Sequence, residues 1–318
     1  MNQMIKLLIQ RLALGLLLLI ASTMLIFIGT SILPGDVAQA ILGQTATPEA
    51  LANLRRELGL NEPAISRYFS WVGGILHGDF GTALSNGTDI AQSMGRRLKN
   101  TMFLAFWAAV ASIPLAIALG IISVRFRDRW PDKLISGVAL SAISLPEFVI
   151  GYLAMYLFAV KLHWVPSVSL INDGMSLGQK LQAISLPVIV LVFVVLAHMM
   201  RMTRAAILSV MESAYIETAE LKGLTSFQVI VGHALPNAIA PIANVVMLNL
   251  AYLVVGVVVV EVVFVYPGMG QYLVDHVSKR DIPVVQAAGV IFASVYILLN
   301  TAADLISIIS NPRLRHPK

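Results

Sequence analysis

Apolar residues in this chain fall in long uninterrupted runs. They follow neither the period of two of a half-buried strand nor the narrow stripe of a water-facing helix. Leu12 to Leu33, Asn100 to Val124 and Ile282 to Ala303 contain no formal charge, and Leu134 to Val160 is interrupted only by Glu147. Leu181 to Met200 and Pro236 to Val260 complete a set of six. A bilayer core of about 30 Å takes roughly 20 helical residues, and in lipid every backbone N–H and C=O must be paired within the segment. The pattern therefore predicts an all-α membrane protein with six transmembrane helices. The run Val254 to Val260 would suit a buried strand in water, but its length and context assign it to a spanning helix.

Composition sharpens this picture. Of 318 residues, 58% are hydrophobic and 12% charged, against about 25% charged in soluble chains. With a mean hydropathy of +0.82, more apolar surface is present than one aqueous core hides, so much of it faces lipid or other membrane helices. That balance disfavours a soluble enzyme. There is no cysteine, which excludes disulfides, thiolate metal sites and cysteine nucleophiles. The first apolar run exceeds the roughly 7 to 15 residues of a signal-peptide core, and Ser22 and Thr23 lie inside it, so it reads as a retained first span.

The net charge of +5 needs no nucleic acid, because its distribution follows the excess of cytoplasmic Lys and Arg in membrane proteins. An even number of spans puts both termini on one side. That side carries Lys6, Arg11, Arg125, Arg127, Arg129, Lys133, Arg201, Arg204, Lys222, Arg313, Arg315 and Lys318. The short loops opposite carry Lys161, Lys180, Lys279 and Arg280. Both termini are expected in the cytoplasm, with residues 34–98 outside it.

The 34–98 segment has folding signals of its own. Thr47 as N-cap, Pro48 at the first helical position, Glu49 in the first turn and Gly59 as a stop frame a helix, with Leu51, Leu54 and Leu58 on one stripe. Ile65, Tyr68, Phe69, Trp71, Val72, Ile75 and Leu76 form a second apolar set, whose aromatic content suits the membrane interface. The segment reads either as a cover for the bundle or as a docking surface for an extracytoplasmic partner.

On the opposite side, residues 201–235 spend far more chain than a turn between neighbouring helices needs. Ser209 with Glu212 has the form of a capping box and Gly223 that of a stop, which predicts a helix near 210–222. Thr225 with Gln228 repeats the device and starts another helix running into His233, Leu235 and Pro236. Small Ala219 and Gly223 at the corner would let another protein's surface approach closely. An amphipathic linker resting on lipid headgroups is the other reading. Glu212, Glu217 and Glu220 beside a single lysine argue against anionic lipid and for an arginine-bearing protein socket.

Glu217-Thr218-Ala219, then Gly223, His233, Leu235 and Pro236 resemble the EAA loop of bacterial ABC importer permeases, where Glu-Ala-Ala is followed by Gly and ends in Ile-x-Leu-Pro. Thr218 and His233 depart from that pattern, and His233-Ala234-Leu235-Pro236-Asn237 is similar to the variant in the peptide and nickel group. Pro34-Gly35-Asp36, Ala46 to Glu49, Arg56 to Leu60, Gly78 to Gly81, Val260 to Phe264, Pro267 to Gly270 and Arg280 to Gln286 resemble, in order, the first permease of dipeptide and oligopeptide systems. The resemblance implies a type I importer permease fold in the inner membrane. Residues 1–33 would be the N-terminal segment and first span, 34–98 periplasmic, 99–310 the permease core with coupling segment 201–235, and 311–318 a cytoplasmic tail. It also implies a second homologous permease, two cytoplasmic ATPase subunits that bind ATP and Mg²⁺, and an extracytoplasmic solute-binding protein. Glu217, Ala219, Gly223, His233, Leu235 and Pro236 would then form the ATPase-coupling site.

No G-x-x-x-x-G-K-[ST] loop is present to hold ATP phosphates. The six histidines show no H-E-x-x-H, so no metal site and no catalytic residue is assigned. His163 and His276 are placed in outer loops as solvated or capping groups. Within the spans, a charge at the bilayer centre costs about 2.5–3.5 kcal/mol. Glu147, next to Pro146, reads either as a pathway or gate group or as a buried hydrogen-bonding group. Glu261 reads either as a gate or as a satisfied interhelical contact, and Asp304 as structural, meeting a neighbouring arginine. The alternative class is an ion- or proton-driven carrier, which calls for internal repeats and a proton-relay chain; neither is evident in the sequence.

Overall fold

The long apolar runs emerge as helices, broken where proline, glycine or a capping side chain ends the backbone ladder. The computed structural model describes residues 3–32, 39, 47–57 and 61–310. In order these hold α1 (Gln3–Ile32), α2 (Pro48–Glu57), α3 (Ala64–Leu76), α4 (Ile90–Arg125), α5 (Trp130–Ser144), α6 (Glu147–Ala154) and α7 (Leu177–Ala183). There follow α8 (Ser185–Met211), α9 (Ala214–Leu221), α10 (Ser226–Val229), α11 (Leu235–Val263), α12 (Met269–Ser278) and α13 (Ile282–Ser310). Two π-helical segments, Met155–Lys161 and Ile230–Ala234, extend α6 and α10. Pro34, Gly35, Asp36, Ala46, Leu58, Gly59, Leu60 and the tail with Arg313, Arg315 and Lys318 lie outside the described residues.

Five helices among the described residues are long and apolar enough to cross a membrane, and α5 with the α6 segment makes a sixth if the pair counts as one span. That pair is not the straight helix expected over 134–160, for it turns through 105°. Pro146 is the cause. Its ring pushes the preceding residue out of the helical region, and Leu145 (ψ 135°) and Pro146 (ψ 141°) are both extended. The helix restarts at Glu147. The span expected at 181–200 also differs: α7 ends at Ala183, and α8 begins at Ser185 and runs on to Met211. A Ser176–Gln179 capping box starts α7.

Packing divides the chain into two units. One comprises Met1–Gly15, Met102–Tyr266 and Tyr296–Lys318. Its main core joins Leu104 and Ala108 of α4 to Leu186, Val190 and Met199 of α8 and Val257 and Val260 of α11. Gly151 allows α6 to approach α11, since a Cβ there would lie 3.1 Å from Val263 Cγ1. Arg11 meets Asp304 at 2.8 Å, the arginine contact expected for that carboxylate.

The other unit comprises Leu16–Thr101 and Pro267–Val295. Ala83, Ile90, Met94, Met269, Tyr272, Val284 and Ala288 form its core. Thr47 caps α2 as expected, its Oγ1 accepting from Ala50 N–H at 3.2 Å. In α3, Tyr68 and Trp71 pack on Phe27 of α1, while Ile65, Phe69 and Leu76 stay exposed. His276 is neither solvated nor in a loop. It lies buried in α12, with Nδ1 2.9 Å from the Tyr272 carbonyl, because the apolar face of that helix is turned into the core.

Candidate functional site

Between α8 and α11 the chain builds a short helical hairpin. Its first helix begins at Ala214, not at 210, and the Ser209–Glu212 capping box does not form. Thr203 and Ile207 are buried, so packing holds α8 helical through Met211, with Glu212 as its C-cap. Ser213 takes the extended N-cap conformation instead. One face of α9 carries Ile216 and Ala219 into a cluster with Val124, Ile207, Val229, Ile230 and Ala234. Ala219 thus supports the hairpin from within and is not itself the open approach expected of it. The outer face presents Tyr215, Glu217, Thr218, Glu220 and Leu221, the last 82% exposed.

Gly223 ends α9 in the left-handed conformation (φ 82°), with its N–H bonded to the Glu220 carbonyl at 2.9 Å. Only glycine adopts that conformation without steric cost. Around its α-carbon the space is open. The Thr225–Gln228 capping box is present in both directions and starts α10. The chain then passes through the π segment into α11 without leaving the helical region. His233 and Pro236 are exposed and Leu235 is half-buried. Asn237 Nδ2 donates to the His233 carbonyl at 2.8 Å, next to the place where Pro236 brings no N–H. The structure thereby gathers Glu217, Ala219, Gly223, His233, Leu235 and Pro236 into one hairpin, while Glu147 and Glu261 stand elsewhere. Arg125, at the end of α4, lies over the Phe227 ring at 5.2 Å and braces the hairpin's second limb.

Glu147 opens α6 at the bend and accepts from Tyr252 Oη at 2.8 Å. A Cβ at Gly256 would sit 3.5 Å from both of its carboxylate oxygens, so the carboxylate lies against the α11 backbone. Tyr252 was not legible as a partner, because 105 residues separate the two and no local motif links them. Glu261 is fully buried. Beyond the end of α11, burial pushes the Tyr266 hydroxyl well above the ordinary phenol range, and the Glu261 carboxylate adds to that shift.

A second pair went unread in the sequence. Asp132, in the first turn of α5, receives Arg204 of α8 through Nε–Oδ1 at 3.1 Å and Nη2–Oδ2 at 2.8 Å. In the sequence Arg204 stands out only as one of the cations on the side of the termini.

Among the described residues, helices long and apolar enough to cross a membrane carry this capped hairpin with its acidic outer face, as a multi-pass membrane protein would. Residues 112–316 match the family described as binding-protein-dependent transport system inner membrane component, and residues 4–119 match the N-terminal portion of such membrane components. A probable peptide ABC transporter permease of Sinorhizobium fredii is 33% identical over 291 residues, covering 92% of this chain and 93% of that protein. A glutathione transport system permease of Escherichia coli is 34% identical over 294 residues (92% and 94%). One from Salmonella typhimurium is 33% identical over 298 residues (94% and 95%). The chain belongs to the binding-protein-dependent inner membrane component family and is a permease subunit of an ABC importer. That membership does not favour an ion- or proton-driven carrier.

Proposed function

We propose that the hairpin of residues 214–236 is the docking element for cytoplasmic ATPase subunits, with Glu217, Gly223, His233 and Pro236 at the contact and Ala219 and Leu235 supporting it from within. One observation carries the reading. The outer face of α9 combines exposed Tyr215 and Leu221 with Glu217 and Glu220, while Ile216 and Ala219 anchor the opposite face in the chain's own core. Such a face suits a groove with apolar walls and arginines, and a rigid base lets it transmit displacement. ATP and Mg²⁺ are held by those partners, which hydrolyse the nucleotide. A second homologous permease completes the translocation path, and an extracytoplasmic binding protein delivers the solute to the side carrying residues 34–98. Both termini then lie in the cytoplasm of a bacterial cell, beneath its inner membrane. The cargo class is short peptides or peptide-like solutes such as glutathione, in keeping with the relatives' names. Glu147 and Glu261 are assigned to the pathway or its gate.

A photo-crosslinking amino acid at Leu221 tests the docking. In the assembled importer it should capture an ATPase subunit, whereas one at Ile65 should not. Capture at Ile65 and none at Leu221 overturns the assignment.

A further inference from the structure

We propose that Asp132 and Arg204 are positioning residues that fix the hairpin end of α8 to the α4–α5 corner, so that displacement received by the hairpin moves α5 together with α8. The inference rests on the docking reading above and adds the route by which movement leaves the hairpin.

The carboxylate of Asp132 is a junction. Besides the two-point contact with Arg204, it accepts from Ser123 Oγ of α4, from the Asp128 N–H in the corner at 3.0 Å and from Ser136 Oγ of α5 at 3.4 Å. Side-chain exposure is 5% for Asp132 and 27% for Arg204. A forked arginine–carboxylate contact fixes orientation as well as distance, which a lysine cannot do. Replacing a buried ion pair by apolar side chains is often neutral or stabilising, so the pair's value lies more in fixing geometry than in stability.

Neighbouring contacts place this junction on the hairpin's load path. Arg204 lies seven residues before the end of α8 at Met211, roughly 10 Å of helix. One residue earlier, Thr203 sits so close to α4 that a Cβ at Gly120 would lie 2.8 Å from its Cγ2. Arg125 ties the same end of α4 to Phe227 on the hairpin's second limb. Both limbs of the hairpin therefore lead back to one corner, and Asp132 connects that corner to the start of α5. The bent pair α5–α6 in turn holds Glu147 against α11.

The test uses the complete importer in proteoliposomes, with uptake and ATP hydrolysis measured on the same vesicles. Arg204→Lys keeps the charge and loses the fork. It should leave the ATPase subunits bound and hydrolysis little changed, while uptake per ATP falls by about fivefold or more, the low end of a coupling between sites. Because the chain has no cysteine, the tie can be rebuilt independently. Gly120→Cys with Thr203→Cys joins positions where a Cβ on residue 120 would lie 3.2 Å from the Thr203 Cβ, a few tenths of an ångström short of the roughly 3.5–4.5 Å span of a disulfide. In the Arg204→Lys background, oxidation should restore uptake per ATP and reduction should abolish the gain. An unchanged ratio in Arg204→Lys, a ratio that stays low after oxidation, or loss of the ATPase subunits from that variant overturns the proposal. Absence of the Leu221 crosslink in the unaltered importer brings down the docking reading, whereas an intact crosslink with an unchanged ratio brings down this inference alone.

Discussion

Asp281 accepts the backbone N–H of Ser85 at 2.9 Å, and that of Leu84 at 3.1 Å, across 196 and 197 residues of sequence. The loop that follows the Gly78 to Gly81 motif is thereby joined to the distant Arg280 to Gln286 motif. Gly78, Gly81 and Gly87 turn the 78–89 loop at positive φ, and Asp281, 1% exposed, closes it. Asp281→Ala leaves two N–H groups without their acceptor. Hydrogen bonds to a charged group contribute about 1.5–3 kcal/mol each, so the variant should unfold at a clearly lower temperature in detergent and be cleaved by protease within 78–89. An unchanged midpoint together with an unchanged cleavage pattern contradicts this.

Gly223 holds φ 82° with open space around it, so substitution there acts through the backbone. A β-branched residue in that conformation costs about 1–2 kcal/mol. Gly223→Val should insert normally yet lose solute uptake and retain less ATPase on purification, with Gly223→Asn much milder because asparagine tolerates the left-handed region. Equal uptake and equal copurification for the valine variant are the outcome that counts against the hairpin's role.

Pro146 sets the turn between α5 and α6. With spin labels at Gly137 and Leu157, a straight helix would separate the label positions by about 30 Å, and the 105° turn brings them to roughly 18 Å. Pro146→Ala frees Leu145 to become helical and should broaden the distance distribution towards the longer value, with loss of uptake. A distribution identical to that of the unaltered protein would show that packing alone maintains the bend.

Tyr252 and Gly256 jointly seat the Glu147 carboxylate. Tyr252→Phe removes the donor at a cost of about 1 kcal/mol. Gly256→Ala meets the oxygens at ordinary contact distance, but Gly256→Leu must displace them. Uptake should fall in the order Ala, Phe, Leu at these positions. A leucine variant with full uptake would remove Glu147 from the pathway.

The sequence made legible what is settled by neighbours in the chain. The Thr47–Pro48 start, the Thr225–Gln228 box and the Gly223 stop are local hydrogen-bond and backbone problems, and each was solvable from a few residues. The run Val254 to Val260 is legible as helix because lipid forbids an isolated strand. What failed was local reasoning where burial intervenes. Ser209 and Glu212 have the letters of a cap, yet burial of Ile207 carries α8 past them. Pro146 was noted, but the size of its turn depends on where α6 packs. The partners of Asp132 and Glu147 lie 72 and 105 residues away, and no spacing rule reaches that far.

One helix shows how unevenly the sequence is constrained. Among the described residues of α1, Gly15, Thr23, Phe27 and Thr30 are the buried ones, and they share one face. Gly15 abuts Thr301, Thr23 meets Tyr68 at 2.9 Å, Phe27 packs on Trp71 and Thr30 receives Gln286 at 2.7 Å. Between these rungs Leu16, Leu17, Leu18, Ile20, Met24, Leu25 and Ile28 are exposed, so at those positions leucine, isoleucine, valine and phenylalanine should be interchangeable. Drift should run freely along that flank while the four rungs stay put, and a library randomised over α1 would recover this ladder before it recovered any other word of the segment.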